Sequence, residues 1–181
     1  MKTPFVVFLN NIFRSEDRDL TGAELGVRFG ANAVNILQNT PIEKLYLVDN
    51  FPEYLDNSGV MFTRKMQDAL YETLLVNLIG YMPQVRVIKK SSEEAMPEFV
   101  DESLDFIYID GAHEYEYIKK DLEWASKVKS GGIIGGHDYD GSSAEVIQAV
   151  NEFITANNYR LFVLEPREGD RYGTEWAIIK P

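Results

Sequence analysis

Short apolar runs recur along this chain, each closed by an acid or a glycine and followed by residues at helical spacing. The clearest are Phe106-Ile107-Tyr108-Ile109-Asp110-Gly111 and Gly132-Ile133-Ile134-Gly135-Gly136-His137. Continuous apolar runs of this length suit strands that are buried on both faces. Parallel strands need a crossover, usually a helix, between them. The pattern predicts an α/β fold: a doubly wound, Rossmann-like and mostly parallel sheet with helices on both faces.

The same reading gives strands over Ala23–Val27, Lys44–Val48, Val85–Ile88, Leu104–Ile109, Gly132–Gly135, Arg160–Leu164 and Trp176–Ile179. A helix over Ala31–Gln38 stops before Pro41, because a residue before proline resists the helical region. Phe62, Met66, Ala69, Leu70, Thr73 and Leu74 mark one face of a second helix, which Gly80 terminates. Ile118, Leu122, Ala125 and Val128 mark another. Ser91 with Glu94, and Ser142 with Glu145, have capping-box spacing; the second would open a helix running to about Ala156. Asn50–Gly59 reads as a loop. Phe5, Phe8, Leu9, Ile12 and Phe13 suggest a helical segment within residues 1–20, used for packing or a subunit contact. Residues 21–181 form the main unit, and no linker or repeat divides the chain into more than one domain.

The chain has 181 residues, enough for one domain with a real core. Its net charge of −11, with no basic run longer than Lys89-Lys90 or Lys119-Lys120, argues against nucleic acid or an anionic membrane as its partner. The lack of cysteine excludes disulfides, thiolate zinc and a cysteine nucleophile. The apolar run from Phe5 to Leu9 is too short for a signal or a membrane span, so a cytoplasmic location is expected.

In open α/β sheets, ligands collect at the carboxyl ends of the strands. Both histidines stand at such ends, in Asp110-Gly111-Ala112-His113 and in His137-Asp138-Tyr139. Two neighbouring ends that each carry Asp and His suggest a shared pocket with a metal and a proton acceptor. A bland reading stands beside each residue: Asp110-Gly111 as a turn, Asp138 as a helix cap, His113 as a hydrogen-bonded loop residue, and His137 as a group that merely orients Asp138. Glu24-Leu25-Gly26-Val27-Arg28-Phe29-Gly30 sits at a third strand end. Its spacing is not the dinucleotide fingerprint, since no first glycine serves a pyrophosphate turn. Glu24 stands where a ligand could present an ammonium group, and Asp49, after the next strand, is placed for a ribose diol. Tyr115, Tyr117 and Tyr139 surround the same ends, as cleft lining or as packing. Trp124 reads as packing. Arg167, Arg171 and Tyr172 fall in the last predicted hairpin, at an acceptor site or a subunit interface.

These motifs resemble the class I S-adenosylmethionine-dependent methyltransferases, over nearly everything from Thr21 to Pro181. Ala23–Gly30 is similar to their first motif and Leu47-Val48-Asp49 to their second. The pair Asp110–Tyr115 and Gly136–Tyr139 resembles one subgroup, the small bacterial O-methyltransferases related to the macrolide-sugar (macrocin-type) enzymes. The resemblance implies a seven-stranded sheet whose last strand is antiparallel. It implies that Glu24 and Gly26 line the methionine end of the cofactor, with Gly30 and Asp110 among the other cofactor-binding residues. Asp49 would take the ribose hydroxyls, and Ser91 or Ser92 would lie near the adenine. Asp110, His137 and Asp138 would hold a divalent ion, magnesium or manganese, and His113 would act as base together with Asp110. Relatives usually carry a carboxylate at position 137. Imidazole suits manganese, iron or zinc better than magnesium.

The expected function is methyl transfer from S-adenosylmethionine to a hydroxyl of a small molecule of sugar, polyketide or phenol type. Rival expectations are a metal-independent methyltransferase with His113 alone as base, a nicotinamide or other nucleotide enzyme, and a non-catalytic scaffold or partner subunit. The aromatic-proline tetrapeptide of nucleic-acid amino-methylating enzymes is absent, since His137-Asp138-Tyr139-Asp140 stands there. The small size and the short segment before the first motif make a homo-oligomer the expected state.

Overall fold

The computed structural model describes residues 2–13, 19–55, 59–168 and 173–181. In chain order the main strands are β1 (Leu20–Leu25), β2 (Ile42–Val48), β3 (Val85–Ile88), β4 (Leu104–Ile109), β5 (Val128–Gly136), β6 (Leu161–Leu164) and β7 (Glu175–Ile179). The helices are α1 (Pro4–Ile12), α2 (Ala31–Asn39), α3 (Arg64–Asn77), α4 (Ser92–Ala95), α5 (Tyr115–Leu122) and α6 (Ala144–Asn157). The strands join in one seven-stranded sheet ordered β3-β2-β1-β4-β5-β7-β6. Neighbours from β3 through β5 are parallel, and β7 runs antiparallel to both β5 and β6. The expected architecture, last strand included, is the one observed.

Period-2 alternation sends successive residues of each strand to opposite faces. Phe106 and Tyr108 join Leu45, Leu47 and Ile133 in a core under α1, α2 and α3. Ile107 and Ile109 join Leu25, Ile134 and Ile178 in a second core under α5 and α6. Helix α1 belongs to the first core through Phe5, Val6 and Leu9. Thr3 caps it by accepting from the Val6 amide at 3.3 Å, Pro4 occupies its first turn, and the buried Glu175 carboxylate accepts from the Phe5 amide.

Register decides where the site lies. Leu25 pairs with both Val48 and Ile109, and Ile109 pairs with Gly136, so four strands end on one line. The ladder runs slightly further, as the Gly26 amide donates to Val48, Asp110 to Leu25, and His137 to Ile109. Gly26, Asp49, Asp110 and His137 therefore emerge side by side.

Several local expectations need correction. Strand β1 spans Leu20–Leu25 rather than Ala23–Val27, because Gly26 turns to φ +82° and Val27 lies in the loop. The Asn50–Gly59 stretch is not loop throughout: Tyr54–Leu55 pairs with Met61–Phe62 in a small antiparallel ribbon, with the Tyr54 and Phe62 rings stacked at 4.7 Å. Phe62 is thus spent on the ribbon, and α3 starts after a Thr63 cap. The inner face of α3 carries Gln67, Leu74 and the half-buried Leu70 and Tyr71, while Met66 is 41% exposed. Ile118 and Leu122 share the inner face of α5, but a tighter 3-10 turn over Glu123–Lys127 follows, and Val128 begins β5. The Ser91–Glu94 capping box forms. The Ser142–Glu145 box does not: Ser142 bonds Asp140, and Glu145 accepts from the Tyr115 amide across the α5–α6 contact.

Candidate functional site

Gly26 leads the chain out of β1 with its Cα against the Asp110 backbone. A Cβ there would stand 2.2 Å from the Asp110 carbonyl oxygen, so only glycine fits both the contact and the positive φ. The loop closes at Gly30, the N-cap of α2. Between them Arg28 is held at φ +54°, an uncommon conformation for a side-chain-bearing residue. The Asp49 carboxylate organises this turn. One oxygen accepts from the Val27 and Arg28 amides at 2.9 and 3.0 Å, and the other accepts from the Phe51 amide at 2.7 Å. The Arg28 guanidinium lies 5.8 Å from the Phe29 and Phe62 rings, which ties the small ribbon to the loop.

Glu24 lies inside this turn and is almost wholly buried. Burial, reinforced by the neighbouring Asp110 charge, pushes its pKa well above the ordinary carboxyl range. Asn32, in the first turn of α2, donates to one Glu24 oxygen at 3.4 Å. The other Glu24 oxygen and the Asn32 carbonyl oxygen are buried with no donor among the described residues. Two orphaned acceptors side by side suit an ammonium group, and they cost free energy until one arrives. Sequence reading missed Asn32. Its signal was a polar residue, a modest helix former, placed in the first turn just past a glycine N-cap.

At the ends of β4 and β5 the polar groups face each other. His113 Nε2 stands 2.9 Å from Asp138 Oδ2 and 3.9 Å from Asp110 Oδ1, while His137 Nδ1 stands 2.8 Å from Asp138 Oδ1. Asp110 and Asp138 hold the His113 imidazolium, raising its pKa to about 10 despite partial burial. Asp138 raises His137 similarly, and the two imidazoles draw Asp138 well below the usual carboxylate range. Asp110 moves the other way because desolvation dominates. Asp138 takes φ +56°, so its backbone is strained to aim the carboxylate at both rings.

One donor atom each from Asp110, His137 and Asp138 lies within 4.8 Å of the others. Donors around an ion at about 2.1 Å are at most about 4.2 Å apart, so a modest closure suffices. Two carboxylates with one imidazole fit manganese or another borderline ion better than magnesium. His113 is outside this donor group and beside it.

The remaining expected residues divide by use. The Ser91 hydroxyl is engaged in its capping box with Glu94. The Ser92 hydroxyl donates to the buried Asp121, which also lies against Gly111. Tyr139 donates to Asn151 at 2.8 Å and Tyr115 to Glu152, so both hydroxyls serve α6, whereas Tyr117 is exposed. Trp124 is core and donates to the Ser92 carbonyl. Arg167 lies with α1 and the end of β6 along a groove. Arg171 and Tyr172 lie outside the described residues.

The sequence profile of a methyltransferase domain matches residues 23–139, from β1 through both histidine motifs. This protein belongs to that methyltransferase family. The family is dependent on S-adenosylmethionine, which makes that molecule the implied cofactor. The fold is shared with distant solved structures. A Staphylococcus aureus protein named as a caffeoyl-CoA O-methyltransferase is 15% identical, with a TM-score of 0.65 over 99% of this chain and 84% of that one. CalS11, a TDP-rhamnose 3'-O-methyltransferase of calicheamicin biosynthesis, is 16% identical at TM-score 0.58, over 94% of this chain and 77% of its own. An rRNA methylase from Streptococcus thermophilus is 11% identical at TM-score 0.65, covering 99% and 98%. A stretch of 72 residues is 28% identical to an uncharacterized protein of Sinorhizobium fredii; the match takes in 39% of this chain and 8% of that much longer protein. Among the described residues, no helix is long and apolar enough to cross a membrane.

Proposed function

We propose that this methyltransferase transfers a methyl group to a hydroxyl of a small molecule of sugar, polyketide or phenol type, with help from a divalent ion. The observation that carries the reading is the pairing of two unlike recesses on one line of strand ends. One holds the orphaned acceptors of Glu24 and Asn32. The other holds the donor group of Asp110, His137 and Asp138, with His113 against it. S-Adenosylmethionine, when bound, supplies an electrophilic methyl on a sulfonium. Glu24 and Asn32 would receive its ammonium group. Asp49 would meet the ribose hydroxyls with the lone pairs left over from the loop amides, and Ser91–Ser92 would border the adenine. Asp110, His137 and Asp138 would hold the ion, whose chemistry is to lower the pKa of a bound hydroxyl.

His113 is the candidate base, since a base must stand within hydrogen-bond reach of the proton it takes. In the free protein it is the protonated partner of the two acids. Its service as base therefore requires those carboxylates to be engaged elsewhere. A metal-independent variant of the same reading is favoured by one observation: the two acids and two imidazoles already balance one another. A net charge of −11 weighs against a nucleic-acid substrate, although a distant structural neighbour is an rRNA methylase.

The test is transfer of label from methyl-labelled S-adenosylmethionine to a panel of sugars, polyketides and phenols, in chelator and after adding back Mn²⁺ or Mg²⁺. Ion-dependent O-methylation is the expected result. Full activity in chelator would move the weight to His113 alone. Labelling of RNA but of no small molecule would overturn the reading.

A further inference from the structure

Trp176 pairs with Gly136 across the antiparallel β5–β7 contact. Its indole is 1% exposed, yet Nε1 has no acceptor among the described residues. The other tryptophan, Trp124, is equally buried and donates to the Ser92 carbonyl at 3.2 Å. A buried indole N–H ordinarily has a partner, because leaving it unpaired forfeits its hydration. A Cβ on Gly136 would stand 2.9 Å from Nε1, so the glycine keeps this N–H uncovered.

A small cavity, open in part to solvent, lies beside Trp176 at the strand ends. Trp176 lines it together with Asp110, His113 and His137, over an apolar floor of Ile118 and Val146. Its volume is about 10 Å³, the space required by the centre of a single water molecule. The lining also specifies the occupant. The indole N–H can only donate, and the Asp110 carboxyl carries oxygens that accept. An occupant that satisfies both kinds must accept and donate at once. A cation would face the positive edge of the indole, and an apolar group would leave the N–H unpaired.

We propose that this cavity is a built site for one resident water, which accepts from Trp176 Nε1 and donates to the Asp110 carboxylate, with the imidazole rings as its other polar neighbours. The water joins the last strand to the acid at the end of β4. The inference is independent of the methyl-transfer reading.

Nuclear magnetic resonance on the full chain with ¹⁵N-labelled tryptophan tests it, because two tryptophans give two indole signals. Trp176→Phe identifies the signal, and Trp124→Phe does so by difference if the first variant fails to fold. In the ligand-free protein the Trp176 indole proton is expected to show a cross-peak to water, with the sign of a molecule bound longer than the protein's tumbling time. The Trp124 indole proton is expected to show none. A Trp176 signal without that cross-peak, or with the sign of freely exchanging solvent, would overturn the site.

Discussion

Between the end of β1 and the start of α2 the buried acceptors of Glu24 and Asn32 have no donor among the described residues, while at the ends of β4 and β5 each ionisable side chain has an opposite charge beside it. The first region is shaped by backbone. Asp49 spends its carboxylate on three loop amides, and Gly26 packs against the Asp110 peptide. The second region is shaped by charge. Two acids and two imidazoles hold one another, and any ion or acceptor must compete with pairings already made. On the proposed function the first half would take a cationic group, whereas the second is already occupied by its own side-chain pairings. Occupancy of the two should therefore be separable.

The strongest way to break this comparison is Glu24→Gln. On the proposed function Glu24 would meet the cofactor's ammonium group, and glutamine keeps the shape but cannot carry the charge, so S-adenosylhomocysteine affinity should fall by about 100-fold, the scale of one charge-assisted hydrogen bond. The raised Glu24 pKa also has a sign for stability. A carboxyl raised in the fold destabilises once pH exceeds its unfolded value near 4.3, so the variant should melt higher than the parent at pH 7. Lower affinity together with equal or higher melting temperature is the expected pair of results, read by calorimetry. Unchanged affinity would remove Glu24 from the cofactor site.

Asp138→Asn acts on the other half. Asparagine tolerates the positive φ at this position, so the backbone should hold while both imidazoles lose their closest acid. Mn²⁺ binding, followed by electron paramagnetic resonance, should weaken by about 10-fold or more, in line with loss of a ligand or its support. Affinity for S-adenosylhomocysteine should stay within about twofold, since the recesses are distinct. A parallel loss of both would show that the halves are coupled.

Asp49→Asn sharpens the first region. The amide oxygen can accept from loop amides on one side only, so part of the turn is left unpaired. Hydrogen exchange at the Val27, Arg28 and Phe51 amides should quicken, and S-adenosylhomocysteine affinity should fall by about 10-fold, as expected from one weakened hydrogen bond. Weaker binding without faster exchange would assign Asp49 to ribose contact alone.

The smallest effect is expected at Asp121, which lies behind Ser92. Burial raises its pKa to about 6. The folded state then holds a proton that the unfolded chain releases near pH 3.9, so stability falls as pH rises through the interval from about 4 to 6 and stays lowered above it. Asp121→Asn should recover on the order of 1–2 kcal/mol at pH 7.5 and close to nothing at pH 4. Thermal melts at the two pH values check this, and an equal shift at both would contradict the sign.

Much of this was legible in the residues because strand ends are marked by composition. The run Phe106–Ile109 could only be a buried strand, and Asp110, Asp49 and His137 directly follow such runs, so their convergence followed from topology. Side-chain partners were not legible in the same way. Nothing in Leu47-Val48-Asp49 says that the carboxylate turns back to the Val27 and Arg28 amides, because that depends on how Gly26 redirects β1. By pattern Trp176 is an ordinary strand start, and Glu175 falls just before the expected strand. Their roles come from register across β5 and β7, which local pattern does not encode. The Ser142–Glu145 spacing misled for a related reason: a tertiary donor, the Tyr115 amide, outcompeted the local cap.

The most direct test of the central claim is calorimetric titration of S-adenosylhomocysteine into the full chain, first in metal-free buffer and then with Mn²⁺, beside Glu24→Gln as control. The account predicts one molecule bound per chain in both buffers, with similar affinity, and a large loss in the variant. Absence of binding in either buffer would contradict the assignment of the β1–β2 recess to this cofactor.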